Sequence, residues 1–174
     1  MPRTSRSLVT ALSSLALAAA GLTVAAGTAH AQSCSQGYLP LPDPSCQPGA
    51  FNPDVTQSTI DSTICVSGWT ATVRPSSSYT TALKKQQIVE YGFTDTSTSD
   101  YEEDHFVPLE LGGSPKSELN LWPEPQYGTT TAANKDTVEN KLKKAVCAGT
   151  VTLADAQDAI VTDWTTALSK LGLS

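Results

Sequence analysis

Residues 101–113 read Tyr-Glu-Glu-Asp104-His105-Phe-Val-Pro108-Leu-Glu110-Leu-Gly112-Gly113, residues 114–119 read Ser-Pro-Lys-Ser-Glu-Leu, and residues 120–125 read Asn120-Leu-Trp122-Pro-Glu124-Pro. An Asp-His pair runs into an apolar stretch broken by Pro108, a Gly-Gly pair permits a tight turn, and an asparagine follows fifteen residues after the histidine. Histidine titrates near neutrality and suits a general base, and a carboxylate beside it suits a cation ligand.

Working outward, residues 65–74 alternate Trp69, Ala71 and Val73 with Thr70, Thr72 and Arg74, which predicts a half-buried strand ended by Pro75. Residues 79–91 place Leu83, Ile88 and Tyr91 near one helical face, with Gly92 as a stop. Residues 95–100 form a polar loop. Two helices close the chain, 132–147 carrying Val138, Leu142 and Ala145, and 153–171 carrying Leu153, Ala156, Ile160, Trp164, Leu168 and Leu171 on one stripe. Trp164 belongs to that stripe and is expected in the core. Residues 152–155 approximate a capping box. The fold class is α+β with a small sheet and additional helices.

At the other end, Arg3 and Arg6 precede an apolar stretch from Leu8 to about Ala26, and Ala29-His30-Ala31 matches a small-x-small cleavage pattern. Residues 1–31 are therefore expected to be a signal peptide cut near Ala31, leaving 143 of 174 residues for a secreted protein. Residues 32–57, rich in Pro, Gly and Ser, are an irregular arm, and 58–174 the domain that follows. Loss of the two arginines moves the formal charge from −6 to −8, a sign that disfavours broad phosphate contact unless a bound cation or local basic patch outweighs it. No later segment is long and apolar enough to span a membrane. Cys34, Cys46, Cys65 and Cys147 allow three disulfide pairings. A local 34–46 bridge is easily closed, and 65–147 would then clamp the early strand to a late helix.

The central stretch resembles the HNH family of ββα-metal nucleases, and in particular small exported bacterial HNH-like proteins with a Pro-Leu-Glu-Leu-Gly-Gly and Asn-Leu-Trp-Pro core. The likeness extends upstream through Thr63-Ile64-Cys65, Gly68-Trp69 and Val73-Arg74-Pro75. Downstream it runs through Lys135-Asp136, Glu139-Asn140, Val146-Cys147, Gly149 and Ala156-Gln157, covering most of residues 50–165. The resemblance implies a ββα-metal finger within a disulfide-stabilised domain. It also implies His105 as general base, Asp104 as metal ligand and Asn120 as the brace that orients His105. The family's third position lies on the following helix, where this chain has no histidine. Its candidates are Asn134, Lys135, Asp136 and Glu139, with Glu139 assigned as a second metal contact and Lys135 as a phosphate contact.

These assignments imply a divalent ion, Mg²⁺ foremost with Mn²⁺ or Zn²⁺ as options, and a nucleic-acid substrate handled by a monomer. The expected function is a secreted nuclease of low sequence specificity. The alternative is a non-catalytic exported module that binds a wall polymer or a protein. Simpler roles compete at single positions: Glu139 pairing with Lys135 or Lys143, and Lys141, Lys143 and Lys144 forming a solvated helix face. Glu110 is open between a carboxylate that supports the site's ligands and a partner for Arg74.

Overall fold

Strands β1 (Tyr101–His105) and β2 (Leu121–Pro125) pair antiparallel, with Tyr101 opposite Pro125 and His105 opposite Leu121. The flanking bonds Phe106 N–H to Asn120 O (2.7 Å) and Gln126 N–H to Asp100 O (2.9 Å) fix the phase of the ladder. Pro123 and Pro125 consequently fall at positions whose nitrogens point away from β1, so β2 loses no bond by carrying them. The computed structural model describes residues 33–173. The expected leader 1–31, with its cleavage site and His30, lies outside the described residues.

A 3-10 turn at Leu109–Leu111 and a left-handed Gly112 (φ 78°) carry the chain from β1 toward β2. Gly113 is demanded by space: a Cβ there would lie 1.8 Å from the Val107 carbonyl oxygen. Helix α2 (Ser77–Glu90) covers one side of the hairpin. Its Lys84 donates to the carbonyls of Thr98 (2.7 Å) and Tyr101 (2.8 Å), and its Gln87 to Leu121 O (2.8 Å). Helix α3 (Ala132–Cys147) reaches the opposite side through Lys135.

Two apolar clusters hold these layers. One gathers Ile60, Ile64, Leu111, Leu142, Val146, Ile160 and Trp164. The other gathers Ile88, Tyr91, Phe93, Tyr101, Phe106 and Trp122. Residues 33–57, with a 3-10 turn at Gln36–Tyr38, are woven into both: Val55 joins the first cluster and Cys34 the second. Phe51 bridges Gly113. Among the described residues no helix is long and apolar enough to cross a membrane.

Two elements differ from the sequence expectation. Residues 65–74 form no strand; Trp69–Val73 is a short helix, α1. Trp69 and Val73 are four apart as well as alternating, and here the helical spacing prevails, leaving Ala71 exposed. The Thr72 hydroxyl bonds the Trp69 carbonyl at 2.7 Å, and Arg74 turns extended before Pro75. The expected helix 153–171 is broken into α4 (Leu153–Asp163) and α5 (Ala167–Lys170). Asp163 Oδ1 captures both the backbone N–H (2.9 Å) and the hydroxyl (2.6 Å) of Thr165, offering the chain a turn in place of helix. Trp164 remains in the core, with its indole N–H on the Pro40 carbonyl at 3.1 Å.

The fold is thus α+β with a two-stranded sheet. Its disulfides are Cys34–Cys46 and Cys65–Cys147, a pair that suits an oxidising, extracytoplasmic environment. The second ties a turn, rather than the expected strand, to the end of α3. The bridges close loops of 12 and 82 residues. Chain-entropy scaling gives them about 3 and about 4.5 kcal/mol of stabilisation. Replacing Cys65 and Cys147 by serine should therefore cost more in urea unfolding than replacing Cys34 and Cys46; the reverse order would show that the long bridge contributes little.

Candidate active site

Asparagine 120 is the first fixed point of the site. Its side chain is fully buried and bonds four backbone groups. Oδ1 accepts from Val107 N–H (2.8 Å) and Ala50 N–H (3.3 Å), while Nδ2 donates to Val107 O (3.0 Å) and Ser114 O (3.1 Å). The amide thereby joins the arm and both ends of the loop between the strands. This is a brace; no group of Asn120 remains for a reacting atom.

That loop sets His105. Its Nε2 lies 3.0 Å from the Pro115 carbonyl. A carbonyl only accepts, so the ring proton sits on Nε2 and Nδ1 keeps its lone pair. Burial pushes His105 below its ordinary pKa, with the Pro115 contact and Asp104 opposing, and the neutral ring is favoured. The exposed Arg74 side chain adds positive charge beside both His105 and Asp136.

Asp104 points toward α3. There Lys135 Nζ donates to Asp104 Oδ2 (2.6 Å), to the His105 carbonyl (2.9 Å) and to Glu139 Oε1 in a short contact. The Lys135 side chain is 0% exposed, while those of Asp104 and Glu139 keep 13% and 11%. Glu124 on β2 is buried beside this cluster, its carboxyl within hydrogen-bonding reach of Asp104.

One ammonium is thus shared among several carboxyls. Burial acts to strip the Lys135 proton, but Asp104, Glu139 and Glu124 outweigh it and raise its pKa. Burial also acts upward on Asp104, where the Lys135 charge prevails and holds the carboxyl low. Glu124 is pushed far up, by burial first and by the Asp104 charge second. Burial raises Glu139 as well, the touching ammonium notwithstanding, because Asp104 draws on the same charge.

One expected role changes here, and one open choice is narrowed. Lys135 was assigned to phosphate, but it is sealed and its three N–H bonds are all committed, so it organises carboxylates instead. Glu110 pairs with Lys143 at 3.5 Å and not with Arg74. Asn134 is a capping residue, accepting from the Thr131 N–H (2.9 Å) and hydroxyl (2.9 Å). Sequence reasoning gave Glu124 no role and did not place Arg74 near His105.

A metal is constrained by these donors. Among the described residues no three His, Cys, Asp or Glu side chains are grouped to hold an ion. Asp104 and Glu139 form a partly exposed carboxylate pair. That donor set fits an Mg²⁺- or Mn²⁺-class ion, which keeps several waters and takes one or two carboxylates plus substrate phosphate. No protein-family model, curated protein or solved structure matches the chain.

Two stability measurements check this account. Asn120→Ala leaves buried backbone groups without partners and should cost about 3 kcal/mol or more in urea unfolding; a loss below about 1 kcal/mol would remove the brace from the argument. On the α2 side of the hairpin, burial raises Glu103 to about 8, Lys84 opposing and Asp104 reinforcing. Its folded pKa exceeds its unfolded one, so stability is full at acid pH and declines as pH rises from about 5 through about 8. Glu103→Gln should flatten that decline; an unchanged slope would assign it to another group.

Proposed function

We propose that the chain is an exported, metal-dependent phosphodiester hydrolase of the HNH type, a monomer acting on DNA or RNA with low sequence specificity. The observation that best supports it is the adjacency of Asp104 and His105 on β1. The carboxylate faces α3, and the imidazole proton is pinned on Nε2 by the Pro115 carbonyl. The order β1, β2, α3, with α3 joined to β1 through Lys135, supports a ββα-metal finger as the local fold. Two disulfides support export.

In this reading His105 Nδ1 takes a proton from the attacking water as its oxygen bonds to phosphorus and the leaving oxygen departs. Asn120 keeps the loop, and through Pro115 the ring, in place. Asp104 and Glu139 would hold an Mg²⁺-class ion, whose contribution is an electrophile for the phosphate and leaving-group charge. Arg74 is the exposed cation beside His105 and is assigned to phosphate binding in place of Lys135.

A second reading is favoured by one observation: His105 is only 3% exposed, which restricts water and substrate access. On that reading the chain is a non-catalytic exported module that binds a wall polymer or a protein.

Cleavage of plasmid DNA and of RNA by the oxidised chain, with Mg²⁺, Mn²⁺ or EDTA, separates the two. The hydrolase reading expects metal-dependent cutting that falls about 100-fold or more in His105→Ala with little change in melting temperature. Arg74→Ala should raise KM more than it lowers kcat. A folded wild-type chain that cuts nothing with either metal would leave the binding module as the better account.

A further inference from the structure

Lys135 stands where three oxygens from two elements converge: Asp104 Oδ2 and the His105 carbonyl from β1, and Glu139 Oε1 from α3. Its side chain has no exposed surface. The carboxyls of Asp104, Glu139 and Glu124 all act on this one ammonium, and Glu124 is buried against the Asp104 carboxyl. The cluster therefore has more buried acid than cation to balance it. Without the ammonium, Asp104 and Glu139 would meet across the β1–α3 contact with nothing of opposite sign between them, an arrangement relieved by another cation or by a proton taken up on Glu139.

We propose that Lys135 is the resident cation of this site, and that it and a divalent ion are interchangeable in holding β1 against α3 through Asp104 and Glu139. The location of the ion rests on the HNH-type reading above, whereas the proposal itself requires no cleavage activity. An intact chain keeps the contact without metal; a chain lacking the ammonium keeps it only with metal.

The test compares the full oxidised chain with Lys135→Met, which retains an apolar stem and removes the charge. Thermal unfolding is recorded in EDTA, Mg²⁺ and Mn²⁺, and Mn²⁺ binding is titrated by electron paramagnetic resonance. The expected result is a variant that melts well below wild type in EDTA, recovers most of that loss in Mn²⁺, and binds Mn²⁺ roughly tenfold or more tightly, because a like charge has left the site. A variant unfolded in EDTA and folded in Mn²⁺ supports the proposal equally. An equal Mn²⁺ response in both chains overturns it. So does weaker Mn²⁺ binding by the variant, or a variant unfolded with and without Mn²⁺. Absence of cleavage alongside the expected Mn²⁺ coupling would sink the hydrolase reading alone, and cleavage alongside equal Mn²⁺ responses would sink this proposal alone.

Discussion

The contact between β1 and α3 depends on one buried ammonium. A two-stranded sheet has too little surface to hold itself together in water, so the hairpin needs a helix on each side. On the α2 side the joint is made by neutral and singly charged donors to backbone carbonyls, Gln87 and Lys84. On the α3 side it is electrostatic, Lys135 reaching Asp104 and the His105 carbonyl. The two joints differ in kind. A buried carbonyl that loses its donor costs about 1–3 kcal/mol, whereas a buried charge that loses its partner costs about 3–5 kcal/mol. The geometry around Asp104 is accordingly fixed more tightly than the small sheet alone would allow.

Second in importance is the loop between the strands. Asn120 gathers Ala50, Val107 and Ser114 by four hydrogen bonds, and Gly113 lets the Val107 carbonyl come close enough to take part. The Pro115 carbonyl is held in the same loop and sets the His105 tautomer. The imidazole and the carboxylate are thus set by separate devices, an amide brace for the first and an ammonium for the second.

Much of this was legible from local chemistry. Helix 132–147 matched its expected bounds, being capped by Asn134 and followed by Gly149, and the disulfide pairing matched the economical closure of 34–46. The strand expected at 65–74 failed because five residues satisfy a period of two and a spacing of four equally well. The break after Asp163 failed to show because the apolar stripe continues across it, while the side chain that ends the helix is polar. Lys135 misled for a related reason. With Glu139 it resembles a surface pair one turn apart, yet residues 135, 139, 142 and 146 share the stripe that faces inward. Two charged residues inside an apolar stripe were the available signal of a buried ionic contact. Glu124, lying between two prolines on a wholly buried strand, had no comparable local mark.

Those prolines have one more consequence. Among the described residues β2 has no strand on its outer side, and such an edge ordinarily offers a row of N–H donors that a neighbouring molecule can extend into a shared sheet. At Pro123 and Pro125 the outward-facing nitrogens carry no hydrogen, and the third outward N–H, that of Leu121, is spent on the Ser117 carbonyl. A strand so built has no N–H left on that side for an incoming strand, so the hairpin is poorly suited to templating intermolecular strand addition.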